Sequence, residues 1–137
     1  MGNATTMTIG IDLGDLRSEV CMLDGEGVVS RRFNAATTRA GLEKRLGGLA
    51  PARVVIEVGT HSPWVSRWLE AQGHEVIVAN ARAVRSIAES DAKTDRSDAE
   101  QLARLGRVDP KLLRPIRHRG EAAQRHRMRI AVRDHLV

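Results

Sequence analysis

Four acidic residues stand out by type and position: Asp12, Glu57, Asp95 and Asp98. Carboxylates are hard oxygen ligands suited to Mg2+ or Mn2+. Two such ions about 4 Å apart activate an attacking oxygen and stabilise a leaving one in phosphodiester chemistry. A site of that kind needs acids that converge from remote parts of the chain. Asp12 lies between Gly10 and Gly14, small neighbours that let other groups approach the backbone. Glu57 ends an apolar run, where a carboxylate is costly to bury unless a cation compensates it. Asp95 and Asp98 are three apart, which on a helix places both on one face. Each acid also has an ordinary role open to it. Asp95 and Asp98 suit the positive end of a helix, Asp12 can cap a turn with Asp15, and Glu57 can pair with an arginine. Four ordinary roles at once are the weaker account, because Glu57 directly ends an apolar strand.

The elements that must position these acids are legible in the apolar pattern. Residues 7–13 alternate with period two, with Ile9, Ile11 and Leu13 on one side and Thr8, Gly10 and Asp12 on the other, which predicts a strand. Residues 18–23 predict a second strand, Asp24-Gly25-Glu26-Gly27 a turn, and residues 28–33 a third strand. A helix follows over residues 38–47, with Thr37 or Thr38 as cap and Gly47-Gly48 as stop. Residues 53–58 have the continuous apolar character of a central strand. Residues 63–72 predict a helix with Pro63 in its first turn, Trp64 and Trp68 toward the core and Gly73 as stop. The next strand is 75–79. A short helix follows over 81–90, and a better one over 95–105 with Thr94 as cap. Three antiparallel strands, a helix, then strand–helix–strand is the order of an α/β, ribonuclease-H-like mixed sheet with flanking helices. The chain divides into this domain over 1–106, a Pro- and Gly-broken linker over 107–120, and a basic helical extension over 121–137. If the first and fourth strands are neighbours, Asp12 and Glu57 reach the same carboxyl edge, where open α/β sheets hold their ligands.

Charge is unevenly placed. Residues 1–103 carry 12 Lys+Arg against 14 Asp+Glu, and residues 104–137 carry 10 against 3, so the net +5 belongs to the C-terminal quarter. Such a block contacts phosphate or forms a solvated helix face. The single cysteine excludes an internal disulfide and a four-cysteine zinc site, and fits a reducing cytosol. No apolar run approaches the roughly 20 residues that cross a bilayer, and the N-terminus lacks a secretory signal. Lys93 and Arg96 flank the acidic pair, and Arg82 and Arg85 follow the 75–79 strand; each is a phosphate contact or a solvated cation. The same choice applies to Arg117 and Arg119 in the basic stretch. Ser62 is the expected cap of the 63–72 helix, His61 is left open, and His118, His126 and His135 are expected at the surface.

GIDLG (10–14), IEVGTHSPW (56–64), VIVAN (76–80) and KTDRSDAEQLARL (93–105) resemble the N-terminal domain of the DEDD-type insertion-sequence transposases. This class includes the pilin-inversion recombinases and the bridge-RNA-guided recombinases. The likeness covers nearly the whole chain in order, and its last stretch is the most specific. It implies a RuvC-like domain in which Asp12, Glu57, Asp95 and Asp98 bind Mg2+ (or Mn2+) and act on DNA, with a structured guide RNA as a further partner. It also implies homo-oligomers through the C-terminal helix, no membrane, and a bacterial-type cytosol. In that family a separate C-terminal domain supplies a serine that attacks DNA. The chain ends inside the start of the helical segment, so that domain is expected to be missing. Two other readings remain at this point. A non-catalytic nucleic-acid-binding or dimerisation remnant would keep the same acids. A sugar-kinase or actin-like phosphotransferase shares GIDLG, but needs a second domain and a glycine-rich nucleotide segment, and KTDRSDA is not part of its pattern.

Overall fold

The structure, a computed structural model, describes residues 6–90 and 97–118, with residues 88–90 described in backbone alone. Five strands form one mixed sheet in the order β3-β2-β1-β4-β5. Strands β1 (Thr8–Asp12), β2 (Arg17–Leu23) and β3 (Val29–Ala36) are an antiparallel meander. Strand β4 (Arg53–Glu57) pairs parallel with β1, and β5 (Glu75–Ala79) pairs parallel with β4. This architecture is consistent with the ribonuclease-H-like fold. β3 runs three residues beyond its expected end, because Asn34, Ala35 and Ala36 stay paired with Glu19, Ser18 and Arg17. The turn before it is closed by Asp24, whose Oδ1 accepts from the backbone N–H groups of Glu26 and Val28. Those two bonds hold its carboxyl below the usual carboxylate range. Gly27 supplies the positive φ of 84° that the turn needs.

Helix α1 (Arg39–Leu46) is capped by Thr38, whose hydroxyl accepts from the Gly41 N–H. Helix α2 (Ser62–Ala71) stops before Gly73, which sits at φ 96°. Helix α3 (Ala81–Ser90) is capped by Asn80, whose Oδ1 accepts from the Arg82 and Ala83 N–H groups. Helix α4 (Asp98–Val108) differs from expectation at both ends. Its cap is Ser97 rather than Thr94, with the hydroxyl accepting from the Glu100 N–H. Its far end passes through Gly106, because the bare Cα of that residue is what lets the helix lie against Val55. A Cβ there would stand 2.3 Å from Val55 Cγ2.

Period two splits the sheet into two unlike faces. On one, Ile9, Ile11, Val20, Met22, Val54 and Ile56 pack with Leu42 and Leu46 of α1 and Val65 and Leu69 of α2. Trp64 and Trp68 pack against this cluster half-buried, as core rather than stacking platforms. On the other face, Gly10, Cys21, Leu23, Val55, Ile77 and Ala79 meet α4, Val84 of α3 and Leu113. Residues 109–116 follow the outer edge of β5. The Asn80 N–H donates to the Leu113 carbonyl, and the Ile116 N–H donates to the Val78 carbonyl. Among the described residues no helix is long and apolar enough to cross a membrane. The helical extension expected over 121–137 lies outside the described residues.

Candidate metal centre

Parallel pairing sets Ile11 of β1 beside Ile56 of β4, so Asp12 and Glu57 are the next pair along. Their strands are about 4.8 Å apart. Both residues share a face with Gly10 and Val55, the face that α4 crosses. Asp98 is the first residue of α4. A Cβ on Gly10 would stand 2.0 Å from the Ala99 carbonyl oxygen and 2.7 Å from the Ala103 nitrogen. The missing side chain at Gly10 therefore lets α4 sit directly on β1, and this brings its N-terminal acid to the carboxyl end of that strand.

Three of the four acids picked from the sequence meet there, with the charge of Asp98 bearing on both Asp12 and Glu57. Burial, then the charges of Asp98 and Glu19, raise the Asp12 carboxyl above its ordinary range. Burial, then the charge of Asp12, raise Glu57; Asp98 adds to the rise and Arg85 opposes it. Glu19 is the partner of Asp12 across β1 and β2, and sequence reasoning missed it. Its position on the acid-bearing face follows once β2 is registered against β1. The fourth acid, Asp95, lies outside the described residues, as do Lys93, Arg96 and Arg119. The shared helical face expected for Asp95 and Asp98 is not supplied by α4, because that helix begins at Asp98.

The chemistry of the donors fits a hard divalent cation. Carboxylates whose proton affinity is raised by burial and neighbouring acids, as at Asp12 and Glu57, are relieved by a metal charge placed among them. Among the described residues, no three such groups are gathered tightly enough to hold one ion. Asp12, Glu57 and Asp98 are thus a convergence at one rim rather than a closed coordination shell.

What fixes Asp98 is a clamp absent from the sequence reading. Glu100 is only 5% exposed and takes hydrogen bonds from Arg32 of β3 and from Arg104 Nε at 2.6 Å. Burial would raise its carboxyl, but the bonds from Arg104 and Arg32 outweigh that and hold it below the usual range. Arg32 Nη1 also reaches the capping hydroxyl of Ser97 at 3.3 Å. Arg104 Nη1 and Arg107 Nη2 donate to the Gly27 and Gly25 carbonyls at 3.1 and 3.0 Å. At the far end, Arg53 Nη1 donates to the Gly106 carbonyl at 2.9 Å. The helix is pinned along its length against β2, β3 and β4. The signal for this was present in Glu100 and Arg104 at i and i+4, in a segment otherwise read for its aspartates.

The loop after β4 is also built differently from expectation. His61, not Ser62, occupies the cap position of α2 and makes no capping bond with its side chain. Trp64 Nε1 donates to His61 Nδ1 at 3.0 Å, and His61 Nε2 faces Asp15 at 3.4 Å. Ser62 is fully buried. Its Oγ joins the Gly59 N–H at 3.0 Å, the Gly59 carbonyl at 2.9 Å and His118 Nε2 at 2.8 Å. His118 is therefore a half-buried structural partner rather than a surface residue. Burial and the nearby Arg67 guanidinium depress its proton affinity. Its value as an anchor lay 56 residues from its partner, beyond any local signal. Of the cations expected along a nucleic-acid path, Arg82, Arg85 and Arg117 are exposed. Arg85 is the one whose charge reaches Glu57.

A mixed sheet of this order, with acids ending β1 and β4 and opening the helix that crosses β1, defines an α/β domain of the ribonuclease-H-like kind. Within that class, the sequence matches the family model of the IS110-type DEDD transposases, described as a transposase, over residues 9–137. The chain belongs to this transposase family. No curated protein matches the sequence.

Proposed function

We propose that the domain is the N-terminal catalytic unit of a DNA transposase, with DNA and a structured guide RNA as partners. In this reading Asp12, Glu57 and Asp98, joined by Asp95, hold Mg2+ or Mn2+ at the rim of the sheet. Bound there, a divalent ion would supply charge stabilisation for phosphodiester cleavage and transfer. The protein's own contribution is to orient the acids and the strand. β1 and β4 present Asp12 and Glu57 side by side, and the Glu100 clamp holds Asp98 over them. Arg82, Arg85 and Arg117, with Lys93, Arg96 and Arg119, supply cations for the phosphate backbone. Pairing of subunits through residues 121–137 belongs to the same proposal.

The observation that carries this reading is placement: Asp12 and Glu57 end neighbouring parallel strands, and Asp98, distant from both in sequence, opens the helix that lies on Gly10 of the first. The test is thermal melting with and without Mn2+, for the wild type, Asp12→Asn and Asp98→Asn. The expected result is a melting temperature that rises with Mn2+ in the wild type and moves much less in either variant. A wild type indifferent to Mn2+ overturns the reading.

A further inference from the structure

The rim that carries the acids does not end at β4. Glu57 is registered against Ala79 of β5, and the next residue, Asn80, opens a cleft of about 600 Å³. This cleft is lined by Asn80, Arg82 and Ser86 on one side and by Lys111, Leu112 and Arg114 on the other. Three cations border it, and no acid does. Among the described residues none of the three forms an ion pair. The N-terminal end of α3 adds its partial positive charge on the Arg82 side. Rim chemistry thus changes sign along the sheet edge, acidic at β1 and β4 and cationic beyond β5.

A second observation falls on the same cleft. Arg114 stands at φ 43°, ψ 61°, and is the one non-glycine residue with positive φ among those described. A side chain in that region is strained, and the ordinary occupant is glycine. The conformation persists because both sides are tied to β5: the Leu113 carbonyl accepts from the Asn80 N–H, and the Ile116 N–H donates to the Val78 carbonyl. Glycine would make the same turn without strain. An arginine held there, beside Lys111 and Arg82, is a side chain retained at a conformational cost, and such outliers gather at ligand sites.

We propose that Arg82, Lys111 and Arg114 form a phosphate subsite for the nucleic-acid strand whose neighbouring phosphodiester lies at the acidic rim. This rests on the proposed function above, since it assumes that the rim acts on nucleic acid. The subsite binds backbone phosphate without reading bases, because guanidinium and ammonium groups recognise its charge. It sets the direction of the strand across the sheet edge, from the β5 side toward Glu57 and Asp12.

The experiment uses the whole 137-residue chain and a fluorescent DNA oligonucleotide, titrated over a series of salt concentrations, with melting measured in parallel. Variants are Arg114→Gly, Lys111→Ala and the control Lys44→Ala, which removes an exposed cation from α1 on the opposite face of the sheet. Arg114→Gly is expected to melt no lower than the wild type, because strain is relieved, yet to bind DNA several-fold more weakly. Its log–log salt slope should shrink by about 1, the value of one lost phosphate contact. Lys111→Ala should follow it in binding, and Lys44→Ala should bind as the wild type does. Wild-type affinity and slope in Arg114→Gly overturn the subsite while leaving the catalytic reading intact. An equal loss in Lys44→Ala reduces the effect to overall charge and overturns it too. Displacement of DNA by polyglutamate at equal charge assigns the cleft to an acidic peptide instead. A wild type that binds no DNA removes the reading of the rim itself, and the subsite with it.

Discussion

The two faces of the sheet are held by opposite means. Under α1 and α2, large aliphatic side chains interlock: Ile9, Ile11, Leu42, Leu46, Ile56 and Leu69 are all at most 1% exposed. Under α4 the aliphatic packing of Leu23, Val55, Ala99 and Leu102 is joined by two further devices, side chains that are absent and side chains that are charged. Gly10 and Gly106 let the helix approach β1 and β4, and the Arg32–Glu100–Arg104 cluster locks its position. An aliphatic interface supplies free energy roughly in proportion to area, and tolerates small shifts. A glycine contact with an ion clamp supplies position instead, because backbone-to-backbone approach and directed hydrogen bonds have narrow geometry. The acids sit on the face built for position.

That contrast can be broken at several points. Leu69→Ala, on the aliphatic face, should cost about 3 kcal/mol by denaturant unfolding, while the gain in melting temperature with Mn2+ stays near the wild-type value. Gly10→Ala should cost about as much or slightly less, near 3 kcal/mol, since the new methyl meets backbone atoms rather than a yielding side chain. Here the Mn2+ response should fall with stability, because α4 must lift and take Asp98 with it. Equal Mn2+ responses in these two variants would erase the distinction between the faces. Glu100→Gln should cost about 2 kcal/mol, with one charge removed from a buried hydrogen-bonded cluster whose arginines can still reach solvent. Its sharper signature is a weakened Mn2+ response relative to Leu69→Ala.

The smallest effect is in pH. Asp12 and Glu57 have carboxyls raised above their unfolded range, so each destabilises the metal-free fold once ionised. That penalty is absent below the ordinary carboxylate range and grows as pH rises through the raised values. Glu100 runs the other way. Its lowered carboxyl contributes stability above the ordinary range, and loses it as pH falls through the lowered value. Asp12→Asn should therefore raise the metal-free melting temperature at neutral pH and flatten its decline between acid and neutral pH. A variant that melts lower than the wild type at neutral pH would mean that Asp12 is already compensated by a cationic group.

Much of this was written locally in the sequence. The period-two alternation of Thr8–Asp12 fixed which side Asp12 faces, and the apolar run before Glu57 marked a strand covered on both sides. The gathering of Asp12 and Glu57 then followed from parallel pairing of β1 with β4. The start of α4 was misplaced because Thr94 and Ser97 are both good caps; only the contacts of Ser97 with Arg32 and Glu100 decide between them. Gly106 read as a breaker, since a glycine's packing role depends on Val55, fifty-one residues earlier. Ser62 with His118, and Arg32 with Glu100, are similar cases, in which the partner is set by tertiary placement and not by spacing along the chain. Local pattern reveals elements and faces, whereas long-range polar pairs emerge only after the sheet order is known.

The bond between Ser62 and His118 has one more consequence. It anchors the point where the described chain leaves the sheet beside Gly59, two residues past Glu57. The strap over residues 109–118 is thus fastened both to the outer strand of the sheet and to the first turn of α2, so its described end cannot lift without breaking a bond to a fully buried serine.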